Sequence, residues 1–160
     1  MLKILLPVDG SEPALDAVRH ALRLVADGLA ASFVLANVQE PATLYEMVTA
    51  HDPEVLDRIS AEAGEHVLQP AEALLDTAGV RWEREIAVGD PGHVLAEMIE
   101  RHGIDAVVMG ARGLGAARSA IAGSVSHWLL VHGTVPVTVV RHVAPEEQEV
   151  EKDEGDETEA

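Results

Sequence analysis

Apolar residues form two kinds of run along this chain. Around 2–8, 32–38, 104–109 and 136–141 they are nearly continuous over the length of a strand, the pattern of strands buried on both faces in a parallel sheet. Between these runs they recur every three or four residues: Leu15, Val18, Leu22, Val25 and Leu29, then Val55, Ile59, Ala63, Val67, Ala71, Leu74 and Ala78. The same spacing returns at Val94, Leu95, Met98 and Ile99, and at Ile121, Val125, Trp128 and Leu129. Each set marks one apolar face of a helix. A weaker alternation of Val80, Trp82, Arg84, Ile86 and Val88 reads as one more strand over 80–88. Strands alternating with helices predict an α/β fold with a single doubly wound, five-stranded parallel sheet.

Caps and breakers sharpen the boundaries. Ser11 is a natural N-cap, Pro13 is tolerated in a first turn, and the helix they open is expected to end near Gly28. Gly89-Asp90-Pro91 reads as turn, N-cap and first helical residue of a helix that runs to Gly103. Pro70 falls inside the long periodic stretch, where it removes a backbone bond and crowds the carbonyl of His66, so a kink or break is predicted there. Residues 41–52 carry no strong periodicity and read as a loop or short helix.

Composition narrows the function. Aromatic residues make up only 2% of the 160, which leaves no stacking platform for single-stranded nucleic acid. The formal charge of -17 repels phosphate backbones, so nucleic acid is not an expected partner. Between Glu146 and Glu159 nine carboxylates face one Lys152; eight of the seventeen net charges lie there and nine on the rest. Residues 1–143 are therefore expected to form one domain and 144–160 a disordered acidic tail. There is no cysteine, hence no thiolate metal site or disulfide framework. No apolar run reaches membrane-spanning length, and a cytoplasmic location is expected.

The candidate chemistry lies after the fourth strand. Gly110, Gly113, Gly123 and Ser124 stand in the spacing Gly-x2-Gly-x9-Gly-Ser, between an apolar strand and a helix. Glycines allow close approach of backbone to a phosphate, and free N–H groups at a helix start attract it. The loop is neither a dinucleotide fingerprint nor a Walker loop, since the third glycine and acidic ribose reader of the one and the Gly-Lys-Ser/Thr of the other are missing. Together with Ile-Leu-Leu-Pro-Val-Asp-Gly-Ser-Glu at 4–12 and Val-Pro-Val-Thr-Val-Val at 135–140, the motif resembles the universal stress protein family over roughly residues 1–142.

That resemblance implies a Rossmann-like sheet of order 3-2-1-4-5 and binding of ATP, with magnesium. It implies that Pro7, Val8 and Asp9 border the adenosine, that Val38 meets the adenine through its backbone, and that Met109, Gly110, Gly113, Gly123, Ser124 and Val125 hold ribose and phosphates. Asp9 is also a candidate magnesium contact, with a turn bonded to the N–H groups of Gly10 and Ser11 as its alternative role. Arg112 is a candidate phosphate contact with a solvated loop face as its alternative, whereas Arg118 reads as solvated. The resemblance further implies a homodimer through strand 135–141, whose apolar edge tolerates proline.

Hydrolysis needs a positioned base, magnesium ligands and charge-stabilising lysines. Lysine occurs only at Lys3 and Lys152, so a binder rather than an enzyme is expected, with turnover slow at best. The eight histidines show no metal-binding spacing. The first reading is an ATP-dependent regulator or sensor in the stress response, acting on an unknown protein partner. The alternative is an interaction protein of the same fold that works through its acidic tail without nucleotide.

Overall fold

In the computed structural model, which describes residues 1–43, 52–111 and 123–142, the five apolar stretches pair into one all-parallel sheet. Its strands are β1 (Leu2–Pro7), β2 (Ala31–Gln39), β3 (Trp82–Val88), β4 (Ala106–Gly110) and β5 (Val137–Val140). They lie in the order β3-β2-β1-β4-β5, so chain order reverses on either side of β1. The described helices are α1 (Glu12–Ala26), α2 (Pro53–Ala78), α3 (Pro91–His102) and α4 (Ser124–His132). Ile4, Leu6, Phe33 and Leu35 bury one face of the sheet under Val18 of α1 and Leu68, Ala71 and Leu75 of α2. Leu5, Val34 and Val107 bury the other under Leu95 and Met98 of α3 and Leu129 of α4. Both faces of the central strands are therefore dry, which is why their sequences show no alternation.

The capping residues act as their types require. The Ser11 hydroxyl accepts from the Ala14 N–H at 3.3 Å, and the Asp90 carboxylate accepts from the His93 N–H at 3.2 Å. Gly79 and Gly103 close α2 and α3 in the left-handed region, at φ 65° and 60°.

Two expectations need correction. Of the kink or break expected at Pro70, the break does not occur: α2 is one helix through it. The ring is exposed, so the unbonded carbonyl side of the helix faces water, while buried Leu68 and Ala71 hold the two halves to the sheet. β3 begins at Trp82 rather than at 80, because Val80 is spent on the helix end, its N–H donating to the Leu75 carbonyl. Of the stripe expected on α4, Leu129 is fully buried and Val125 and Trp128 are half-buried, while Ile121 lies outside the described residues. So do residues 44–51 of the predicted loop and the acidic tail from 143 onward.

Candidate functional site

The carboxyl edge of the sheet is notched at its centre. β2 and β3 stay paired to Gln39↔Val88, and β4 and β5 to Gly110↔Val140. Between them β1 pairs with β2 only to Pro7↔Ala36 and with β4 only to Leu5↔Val107. In a parallel strand successive residues turn both backbone groups toward opposite neighbours. The Val8 N–H donates to the Ala36 carbonyl at 2.8 Å, which puts Val8 on the β2 side and Pro7 on the β4 side. Proline has no N–H to make the next rung toward β4. Pro7 thus ends one ladder by its chemistry, and Gly10, at φ +86°, turns the chain away.

The walls of the notch follow from the same alternation. The Gln39 carbonyl accepts from the Gly89 N–H on the β3 side, so the backbone groups of Val38 face the β1 side, beyond the last paired residue of β1. On the other wall the Ala111 N–H donates to the Val140 carbonyl, so the backbone groups of Gly110 face the notch. Gly110 is required for packing as well. A Cβ there would stand 2.6 Å from the Pro13 carbonyl carbon and 2.8 Å from the Ala14 nitrogen, so the first turn of α1 lies directly on it.

Asp9 is exposed just beyond β1 and makes the Ser11 part of the turn expected of it. Its Oδ1 accepts from the Ser11 N–H at 3.0 Å and the Ser11 hydroxyl at 2.6 Å. Ser11 in turn caps α1, so the carboxylate is tied to a helix start. Val8 and Met109 are buried on opposite faces of the sheet, at 3% and 6% exposure. Among the described residues no group of three or more His, Cys, Asp or Glu is placed to hold a metal ion.

α4 starts differently from α1, α2 and α3, whose caps Ser11, Asp52 and Asp90 each accept a helix N–H through the side chain. Gly123 caps α4 with no side chain, which leaves the first N–H groups, those of Ser124 and Val125, for another acceptor. Below this start the chain is pinned. The Gly123 N–H donates to the Ala111 carbonyl, and the buried Ser126 hydroxyl reaches the Gly123 carbonyl at 3.0 Å and the Ala111 carbonyl at 3.3 Å. Residues 112–122, with Arg112 and Gly113, lie outside the described residues, but the positions flanking them are held together.

The structure thus brings Pro7, Val8, Asp9, Val38, Met109 and Gly110 to one edge, two of them through backbone alone. Two residues there were not singled out from the sequence: Ser126, and Asn37, which is 3% exposed and donates through Nδ2 to the Val8 carbonyl at 2.8 Å. Asn37 had a signal, as a lone polar residue inside an apolar stretch; Ser126, between Ser124 and His127, had none.

Comparison with known proteins identifies the family. The model of the universal stress protein family matches residues 1–141. The chain belongs to the universal stress protein family. Universal stress protein YxiE of Bacillus subtilis is 29% identical over 145 residues, covering 87% of this chain and 98% of that protein. Two solved structures of the family share the fold. A universal stress protein family protein from Arabidopsis thaliana with AMP bound has a TM-score of 0.65 at 22% identity, covering 92% of this chain and 97% of the other. A universal stress protein in complex with cAMP has a TM-score of 0.62 at 22% identity, covering 88% and 96%. The expected sheet order and Rossmann-like architecture are those observed.

Proposed function

We propose that the notch between β2 and β4 binds an adenine nucleotide, ATP foremost, and that this protein is a cytoplasmic nucleotide-dependent regulator or sensor in the stress response. The observation that carries this reading is the double ending of β1, which leaves the backbone groups of Val38 and Gly110 facing a gap beside a helix start capped only by glycine. AMP and cAMP in two relatives of the same fold support an adenine ligand. In this reading Val38 meets the base, Pro7, Val8 and Asp9 border the nucleoside, and Met109 and Gly110 face the ribose. Arg112, Gly113, Gly123, Ser124 and Val125 take the phosphates. Magnesium would be held mainly by the nucleotide's own phosphates, with Asp9 as the nearby carboxylate.

The residues describe a binder better than a catalyst. Lys3 stands at the amino end of β1, paired with Glu83 at 2.7 Å, and cannot serve phosphates at the carboxyl edge. Nucleotide released from freshly purified, denatured protein should chromatograph as an adenine nucleotide near one per chain, and calorimetry should show ATP binding. Gly123→Val, which pushes phosphate away from the α4 start, should weaken ATP by about tenfold or more. Protein that carries no nucleotide and gives no heat with ATP, ADP or AMP would overturn the proposal and direct attention to the acidic tail.

A further inference from the structure

Asn37 stands where β2 stops pairing with β1. A buried amide is costly unless both of its ends are bonded, and here both are. The Val8 carbonyl can only accept, so Nδ2 faces it at 2.8 Å and Oδ1 is left to accept from the Gln39 Nε2 at 2.6 Å. α2 closes over the amide through a glycine: a Cβ on Gly64 would lie 3.2 Å from Oδ1 and 2.6 Å from Cγ2 of Ile86.

The Val8 carbonyl is the acceptor that a continuing parallel ladder would offer to the Val38 N–H. In the structure the Asn37 side chain is on that carbonyl, the ladder ends at Pro7↔Ala36, and the chain of β2 goes on to Gln39 beside β3 alone. Building on the nucleotide reading above, we propose that Asn37 is a positioning residue for base recognition: it terminates the β1–β2 ladder and so reserves the Val38 N–H and carbonyl for the edge of the base. A neighbouring N–H donor and carbonyl acceptor on one peptide-bearing residue match adenine, whose N1 accepts and whose exocyclic N6 donates. Guanine presents the opposite polarity at those two places and is disfavoured. Asn37 itself touches no ligand. It acts through Val8 and Val38.

The test uses the full chain and three probes, ATP, GTP and inorganic tripolyphosphate, each with magnesium. Asn37→Ala should weaken ATP about five- to tenfold, the worth of one hydrogen bond, lower the ATP-to-GTP preference in step, and leave tripolyphosphate unchanged. Asn37→Asp keeps the shape but faces a carboxylate toward the Val8 carbonyl. Its ATP affinity relative to the parent protein should recover as pH falls and the carboxyl gains a proton to donate, with no such recovery in Asn37→Ala. In the unliganded parent protein the Val38 amide should exchange with solvent about tenfold faster or more than those of Val34 and Ala36, and slow when ATP binds. Equal losses for ATP and tripolyphosphate, or a Val38 amide protected without ligand, would overturn the role of Asn37 alone. A parent protein indifferent to ATP would overturn the nucleotide reading, and this inference with it.

Discussion

The sheet has two open edges, and they are built in opposite ways. β3 is seven residues long and carries Glu83, Arg84 and Glu85 in succession. Each is engaged: Arg84 with Glu72 at 2.7 Å and Glu65 at 3.4 Å, Glu83 with Lys3 at 2.7 Å and His102 at 3.3 Å, and Glu85 with Arg101 and His102. β5 is four residues long, Val-Thr-Val-Val, with no charge. The helix leading into it exposes Leu130 and Val131, at 53% and 61%. An edge strand is a template for further pairing unless charge or length blunts it. The difference teaches that charge guards β3 whereas only shortness guards β5, and a homodimer through β5 is the pairing put to the test below.

The largest effect is expected from breaking the open edge. The Pro136 and Val140 carbonyls accept from β4, so the backbone groups of Val139 face outward. Val139→Pro removes one outward N–H without touching the β4 ladder. If β5 is a two-fold interface, two such bonds are lost per dimer and the dissociation constant should rise about a hundredfold, read by sedimentation across a concentration series. An unchanged assembly in that variant would exclude β5. The converse change makes β3 resemble β5: Glu83→Val combined with Glu85→Val should produce association beyond the parent state, visible as a concentration-dependent scattering mass.

Smaller effects sharpen the contrast. Glu85→Ala strands Arg101 and half-buried His102 at the end of α3, and should cost about 1–2 kcal/mol in thermal or denaturant unfolding. The same substitution at an unpaired surface glutamate should cost far less. The weakest effect is on pH. Lys3, hydrogen-bonded to Glu83, holds that carboxyl below its ordinary 4.5 against some desolvation, with His102 adding to the lowering. At the other edge His142, 2.5 Å from Asp16, holds that carboxyl below 3.8, aided by Arg19. Both folded values lie below the unfolded ones, so their stabilisation is present above about pH 4.5 and is lost as pH falls through the folded values. Glu83→Gln and Asp16→Asn should each flatten the acid limb of stability slightly, since both pairs are partly solvated. A steeper acid limb in either variant would contradict the assignment.

Much of the site was legible because its signals are local. Ser11, Asp90 and Gly103 are capping residues whose chemistry needs only neighbours in sequence, and Gly110 and Gly123 sit in a spacing that survives any arrangement of strands. Pro7 was legible as a residue but not as a device, since ending a ladder has meaning only once β4 lies beside β1. The partners of Asn37, Ser126 and His102 lie 29, 15 and 17 residues away in sequence, and no periodicity carries contacts of that range. The break expected at Pro70 does not occur for a related reason: the exposure of the freed carbonyl, which lets water take up the lost bond, is a property of packing.

By itself, then, the chain's alternation of continuous and periodic apolar runs determined that there would be five parallel strands with helices on both faces, because each pattern can bury its apolar surface in one way only. It also determined the cap residues and the acidic balance. Tertiary structure alone decided which strand ends first. The reversal of order on either side of β1 set Val38 and Gly110 across from one another, and a proline on one side and an asparagine amide on the other kept the gap open. Whether a backbone group is spent in a ladder or left for a ligand depends on its neighbour across the sheet, and that neighbour is chosen by topology.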